Sequence, residues 1–160
     1  MARFSSLVRA FGSLTITAAP ADTNTVTIGG KVYTYQTTLT NVDGNVLIGA
    51  SGAISLQNLQ AAINLGTGAG TLYATAMTIN ANVRARTPSA TVLVVEAKAP
   101  GAVGNFIATT ETHANATWGA ATLASGAGSI SVVISELRTS GQLNADALAV
   151  LDVIDGNSEA

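Results

Sequence analysis

The sequence predicts a mainly β protein of the α+β class: an antiparallel sheet or sandwich of about seven strands, one packed helix over 55–65, and a C-terminal strand-helix appendix. Three observations predict it. Thr25-Val-Thr-Ile-Gly-Gly-Lys-Val-Tyr-Thr-Tyr35 places Val26 and Ile28 on one face of an extended chain, turns at Gly29-Gly30, and resumes with Val32, Tyr33 and Tyr35. That is a β-hairpin with a primed two-residue turn, for which both glycines supply positive φ. Further alternating β-branched segments recur between turn clusters. The period switches to that of a helix once before the C-terminal appendix, at Leu56, Leu59 and Ile63.

In chain order, Gly12 to Thr17 reads as a first strand, with Leu14 and Ile16 inward and Ser13, Thr15 and Thr17 outward. Pro20 to Asn24 is a turn cluster leading into the hairpin, and Asn41 to Asn45 is a second one before a short strand, Val46 to Ile48. The helix is capped at Ser55, or at Ser51 one turn earlier, and Gly66 ends it. Its Leu/Ile stripe requires a neighbouring sheet. After the flexible Gly66 to Gly70 loop, Val83 to Thr87 and Thr91 to Ala97 read as strands, the second apolar on both faces and hence central. Ala99 to Asn105 is a long turn; Phe106 to Thr110 and Thr117 to Ala124 are further strands. Trp118 plugs an end of the core, its indole N–H donating to a backbone carbonyl. Ser125 to Gly128 is a flexible linker. Beyond it, Ile130, Val132 and Ile134 alternate as a strand, and Asn144 caps a helix through Ile154 with Leu143, Ala147, Val150 or Leu151, and Ile154 on one face.

A chain of 160 residues holds one domain with a real core. Only 10% of it is charged while 48% is apolar, well below the roughly one-quarter charge of soluble domains. So neutral a surface suits a subunit covered by copies of itself or by partners. The net charge of −2 carries no footprint for nucleic acid. Arg84 and Arg86 alternate on one strand face, where a salt bridge is the expected use. The absence of cysteine removes disulfides and thiolate chemistry, and no apolar run spans a membrane. Arg9 interrupts the apolar start too early for a signal peptide. The start is read as an amphipathic arm, with Phe4, Leu7, Val8 and Phe11 on one helical face.

Catalytic constellations are missing. The single histidine, His113, lies in a loop and is read as a solvated residue. The carboxylates Asp22, Asp43, Glu96, Glu111, Glu136, Asp146, Asp152, Asp155 and Glu159 are dispersed, with no acid–nucleophile pair among them. Asp22-Thr-Asn24 and Asp43-Gly-Asn45 lack calcium-loop spacing and are read as turns. The Gly66 to Gly70 loop lacks the Lys-Ser/Thr of a phosphate loop. The expectation is a protein that is not an enzyme and has no cofactor, metal, nucleic-acid or membrane site.

The hairpin at 25–35 is followed in order by Val46-Leu-Ile-Gly-Ala-Ser51, Asn58-Leu-Gln-Ala-Ala-Ile-Asn64, Val94-Val-Glu-Ala-Lys-Ala-Pro-Gly-Ala-Val-Gly-Asn105, Ile107-Ala-Thr-Thr-Glu-Thr112 and Trp118-Gly-Ala-Ala-Thr-Leu-Ala-Ser-Gly126. Together these resemble a β-rich module of tailed-bacteriophage virion structural proteins, found in head-decoration, head-fibre and tail-associated proteins. The resemblance covers roughly 12–126 and carries no catalytic residues. It implies a virion protein made in the bacterial cytoplasm, and a capsid decoration or cement subunit in particular. The implied partners are the major capsid protein, other virion proteins and further copies of the chain. On this reading the chain divides into an attachment arm (1–11), the module (12–126) and a docking segment (127–160). Phe4, Leu7, Val8, Phe11, Ile130, Val132, Ile134, Leu148 and Leu151 are the candidate contact residues. The alternative is a fibre or adhesin in which Tyr33, Tyr35 and Trp118 stack on host glycans.

Overall fold

Two four-stranded sheets and one helix enclose a single core in the computed structural model, which describes residues 7–128. The strands are β1 (Arg9–Ile16), β2 (Thr25–Ile28), β3 (Lys31–Gln36), β4 (Asn45–Leu47), β5 (Val83–Ala85), β6 (Val92–Pro100), β7 (Thr109–Glu111) and β8 (Ala116–Trp118); helix α1 is Gly52–Asn64. One sheet runs β5-β6-β1-β8 and the other β4-β3-β2-β7. The mainly β, one-helix reading holds for these residues.

The hairpin forms as its turn chemistry dictates. Gly29 and Gly30 take φ of 59° and 84°, and Val26 pairs with Tyr33. Val26, Ile28, Tyr33 and Tyr35 are fully buried, and Val32 is left half exposed on the other face. Leu14 and Ile16 point inward from β1 as expected, and Leu93, Val95 and Ala97 from β6, which is an inner strand. Helix α1 buries Leu56, Leu59 and Ile63.

Several boundaries differ from the sequence reading, each for a local reason. The helix starts one turn early because the Ser51 hydroxyl accepts from the Ile54 N–H. Ser55 is instead buried in the first turn, donating to Ser51 O and accepting from the Gly49 N–H. Leu65, not Gly66, takes the left-handed cap at φ 49°. Not every pair is antiparallel: β3 and β4 run parallel, Tyr35 opposite Val46. The chain between them is held by polar contacts, Thr37 bonded to the Asp22 carboxylate of the turn before β2 and Thr40 to the Gln36 side chain at the end of β3. Gly44 then takes φ 90°, where a side chain would collide with Val32 O.

The ends of the module move most. Residues 9–11 belong to β1, so the helical arm read for 1–11 does not exist over these positions. Val8 pairs with Ala127 and Phe11 with Ala124, so 125–128 is no free linker. The Asn105 side chain both accepts from the Gly126 N–H (2.8 Å) and donates to its carbonyl (3.0 Å). The turn after β6 is a 3-10 helix, Ala102–Phe106, which takes Phe106 out of the strand expected there.

Candidate attachment surface

One pole of the molecule gathers the two most exposed large apolar side chains among the described residues together with both ends of the described chain. It is built around the tip of the β2–β3 hairpin. Asn80 and Asn82 strap the tip by donating to Ile28 O and Gly29 O, each at 3.2 Å, and the Gly29 N–H donates to Ala108 O. The Lys98 ammonium holds the strap from below through Asn80 O (2.6 Å). Beside it, Gly104 seats the 3-10 helix on β1 and β6 so closely that a Cβ there would lie 2.7 Å from those of Ala10 and Ala97. With that face pressed down, Val103 and Phe106 point outward, 61% and 83% exposed. Between them and the hairpin tip runs a groove of about 420 Å³, lined by Gly30, Ala81, Asn82, Val103, Phe106 and Ile107 among others, none of them charged. Isolated exposed hydrophobes are ordinary; grouped ones beside a groove mark a contact surface.

The chain enters and leaves here. Val8 and Ala127 exchange backbone hydrogen bonds of 2.9 and 3.1 Å, the Gly101 N–H donates to Val8 O, and the Ala102 N–H donates to Gly128 O. Both ends of the described chain therefore lie at the start of the 3-10 helix.

Of the contact residues expected from sequence, Leu7 and Val8 lie at this pole, Leu7 half-buried and Val8 exposed. Phe11 does not join them on a helical face. It sits on the outer face of its sheet opposite Glu96, half exposed. Phe4, Ile130, Val132, Ile134, Leu148 and Leu151 lie outside the described residues, as does the appendix they belong to. Val103 and Phe106 were missed. Their only sequence signal is the Gly101-x-x-Gly104 spacing, which marks a tight turn against a neighbouring element without saying which side chains face out.

The ion pairs among the described residues are answered within the chain. Arg84 and Arg86 both reach Glu96 Oε2, at 3.0 and 3.2 Å, the salt bridge expected of that pair. Burial pushes the Glu96 carboxyl up, but hydrogen bonds from the two guanidinium groups outweigh it and hold it below the usual carboxylate range. Lys31 bonds Asp43 at 2.8 Å, and Asp43 also accepts from the N–H and hydroxyl of Thr78 (2.8 and 2.7 Å). Although desolvation works against ionisation, these bonds bring the Asp43 carboxyl down to about 2. The carboxylate thus closes a turn, as expected.

Two expectations are corrected. His113 is buried, not solvated: its Nδ1 accepts from the Asn115 N–H (3.3 Å), so Nε2 carries the proton toward Ala18 O (3.1 Å). The sugar-stacking platforms are also inside. Tyr33 and Tyr35 are fully buried, burial pushing the Tyr33 hydroxyl up to about 12 and that of Tyr35 up as well. Trp118 is buried with its indole N–H on Thr110 O, as the core-plug reading required. No protein-family model matches the chain, and no curated protein matches it in sequence.

Proposed function

We propose that the chain is a non-enzymatic structural protein of a tailed-bacteriophage virion, a capsid decoration or cement subunit present in many copies. It binds the major capsid protein or other shell proteins through its terminal segments. The observation that carries this reading is the convergence at one pole: entry of the chain at Leu7 and Val8, exit at Ala127 and Gly128, and the outward Val103 and Phe106 around an uncharged groove. A charged share of 10% over the whole chain supports a subunit with covered faces. The ordered segments from Thr25 to Gly126, which resemble the virion module, supply the shell as partner.

The test is binding to expanded capsids that lack the protein. Removing residues 1–6 or 129–160 keeps every described strand, and either deletion should abolish capsid binding. Phe106→Asp should weaken it at least about ten-fold, the loss of one anchoring side chain. Full binding by both deletions and by Phe106→Asp overturns the attachment reading. Copy number per particle places the subunit: hundreds fit a shell component, whereas three, six or twelve fit a vertex or tail part.

A further inference from the structure

The outer face of the β5-β6-β1-β8 sheet carries more positive charge than it answers. Arg9, Arg84, Glu96 and Lys98 alternate with the buried Ala10, Val83, Val95 and Ala97, which places them on this face. Arg86, just beyond β5, joins them through Glu96. Four cations therefore share the face with one carboxylate. Arg84 and Arg86 both spend their Nε and Nη2 donors on the same Glu96 oxygen, at 3.0 to 3.3 Å. Their side chains stay 56% and 62% exposed, which leaves the other guanidinium donors for a second acceptor. Arg9 and Lys98 bond only neutral carbonyls, Ala97 O and Asn80 O. Phe11 and Val94 stand among these charges, Phe11 half exposed.

The opposite charge lies in the same chain. Beyond Gly128, residues 129–160 hold Glu136, Asp146, Asp152, Asp155 and Glu159 against the single Arg138. The stretch 146–155 combines three of these carboxylates with Leu148, Leu151 and Ile154, and contains no base. We infer that 146–155 docks on the outer sheet face of its own chain, its carboxylates on Arg84 and Arg86 and its apolar side chains over Phe11 and Val94. Arg84, Glu96, Phe11 and Ala124 form one row across the sheet, each opposite the next. Three strand spacings, roughly 15 Å, thus separate Arg84 from the segment by which the chain leaves. Residues 129–145 span several times that distance at about 3.3 Å per residue. Such a tether supplies an effective concentration on the order of millimolar, which favours the chain's own segment over that of another copy. The docking needs no shell protein, so it stands or falls apart from the virion reading.

Paramagnetic broadening in the full chain tests this. The sequence has no cysteine, so Ala149→Cys gives a single site for a nitroxide label. In dilute solution at low salt, the label should broaden the backbone amides of Arg84, Val94 and Glu96. A mixture of isotope-labelled chain without nitroxide and unlabelled chain with it should show no such broadening. In about 1 M salt, where charges are screened beyond about 3 Å, the broadening should fall. Asp146→Asn, Asp152→Asn and Asp155→Asn together leave the described fold untouched. They should lower the ratio of docked to free segment about ten-fold, each exposed ion pair being worth a factor of about two. Three results overturn the inference: no broadening on these strands, broadening that persists in the mixture and so places the segment on another copy, or broadening indifferent to salt and to the three asparagines.

Discussion

The sheet edges and the apolar pole follow opposite rules. Along the β4, β5 and β7 edges, several backbone groups that could recruit another strand are answered within the chain. Asn64 and Asn80 close β5; Leu72 O and the Ala74 N–H close β4, with Asn58 on Leu47 O; the Thr109 N–H of β7 goes to Ala121 O. At the pole, apolar side chains stand unanswered in solvent. The contrast is sharpest between two consecutive residues of the 3-10 helix. Asn105 turns inward and fastens Gly126, while Phe106 turns outward and touches little. Backbone polarity is what this fold hides, and apolar surface is what it presents.

Substitutions can break that contrast. Asn105→Ala leaves both the N–H and the C=O of Gly126 without their partner and should cost about 1–3 kcal/mol of stability in a denaturant titration. An effect below a few tenths would mean that the contact with Gly126 does not hold the pole together. A smaller loss is expected on acidification. Asp43, brought down to about 2 from an ordinary value of 3.8, binds protons less readily folded than unfolded. Its contribution is complete above roughly pH 4 and is lost as pH falls toward 2. Because the side chain is half exposed, solvent screening keeps that contribution small. Asp43→Asn should flatten this part of the stability–pH curve, and an unchanged slope between pH 4 and 2 would assign the acid sensitivity to Glu96 instead. The smallest effect on folding is that of Phe106→Ala, within about 0.5 kcal/mol, although the side chain is large. Unfolding measured beside capsid binding separates the two roles of these neighbours.

What the sequence disclosed followed the range of the interactions. The β2–β3 hairpin was legible because its alternation and its two glycines lie within eleven residues, 25 to 35. The helix stripe and its Ser51 alternative cap were legible for the same reason. The arginine pair could be assigned to a salt bridge, but its acceptor, Glu96, is set by the β5–β6 register and not by any local pattern. The asparagine closures were invisible. Asn64 and Ala85, like Asn105 and Gly126, are 21 residues apart, and an asparagine beside a turn has the same composition signal whether or not it bonds a distant strand. Phe106 was misread because β-propensity suits either face of a strand and cannot register that Gly104 pins the chain beneath it.

Strand β1 stands between β6 and β8, with Leu14 facing Leu93 on one side and Trp118 on the other, and Val8 bonded to Ala127. The earliest described strand is thus completed by the latest described segments, across more than a hundred residues. Local pairs such as β2–β3 can close while the chain is still being made, whereas this strand has no partner until β6 is available and is flanked on both sides only once β8 follows. Loop closure over such a distance slows folding, and a waiting strand is exposed to other chains in the meantime. The order of synthesis and the order of assembly are therefore set against each other here: the first strand of the sheet to be made is completed by the last.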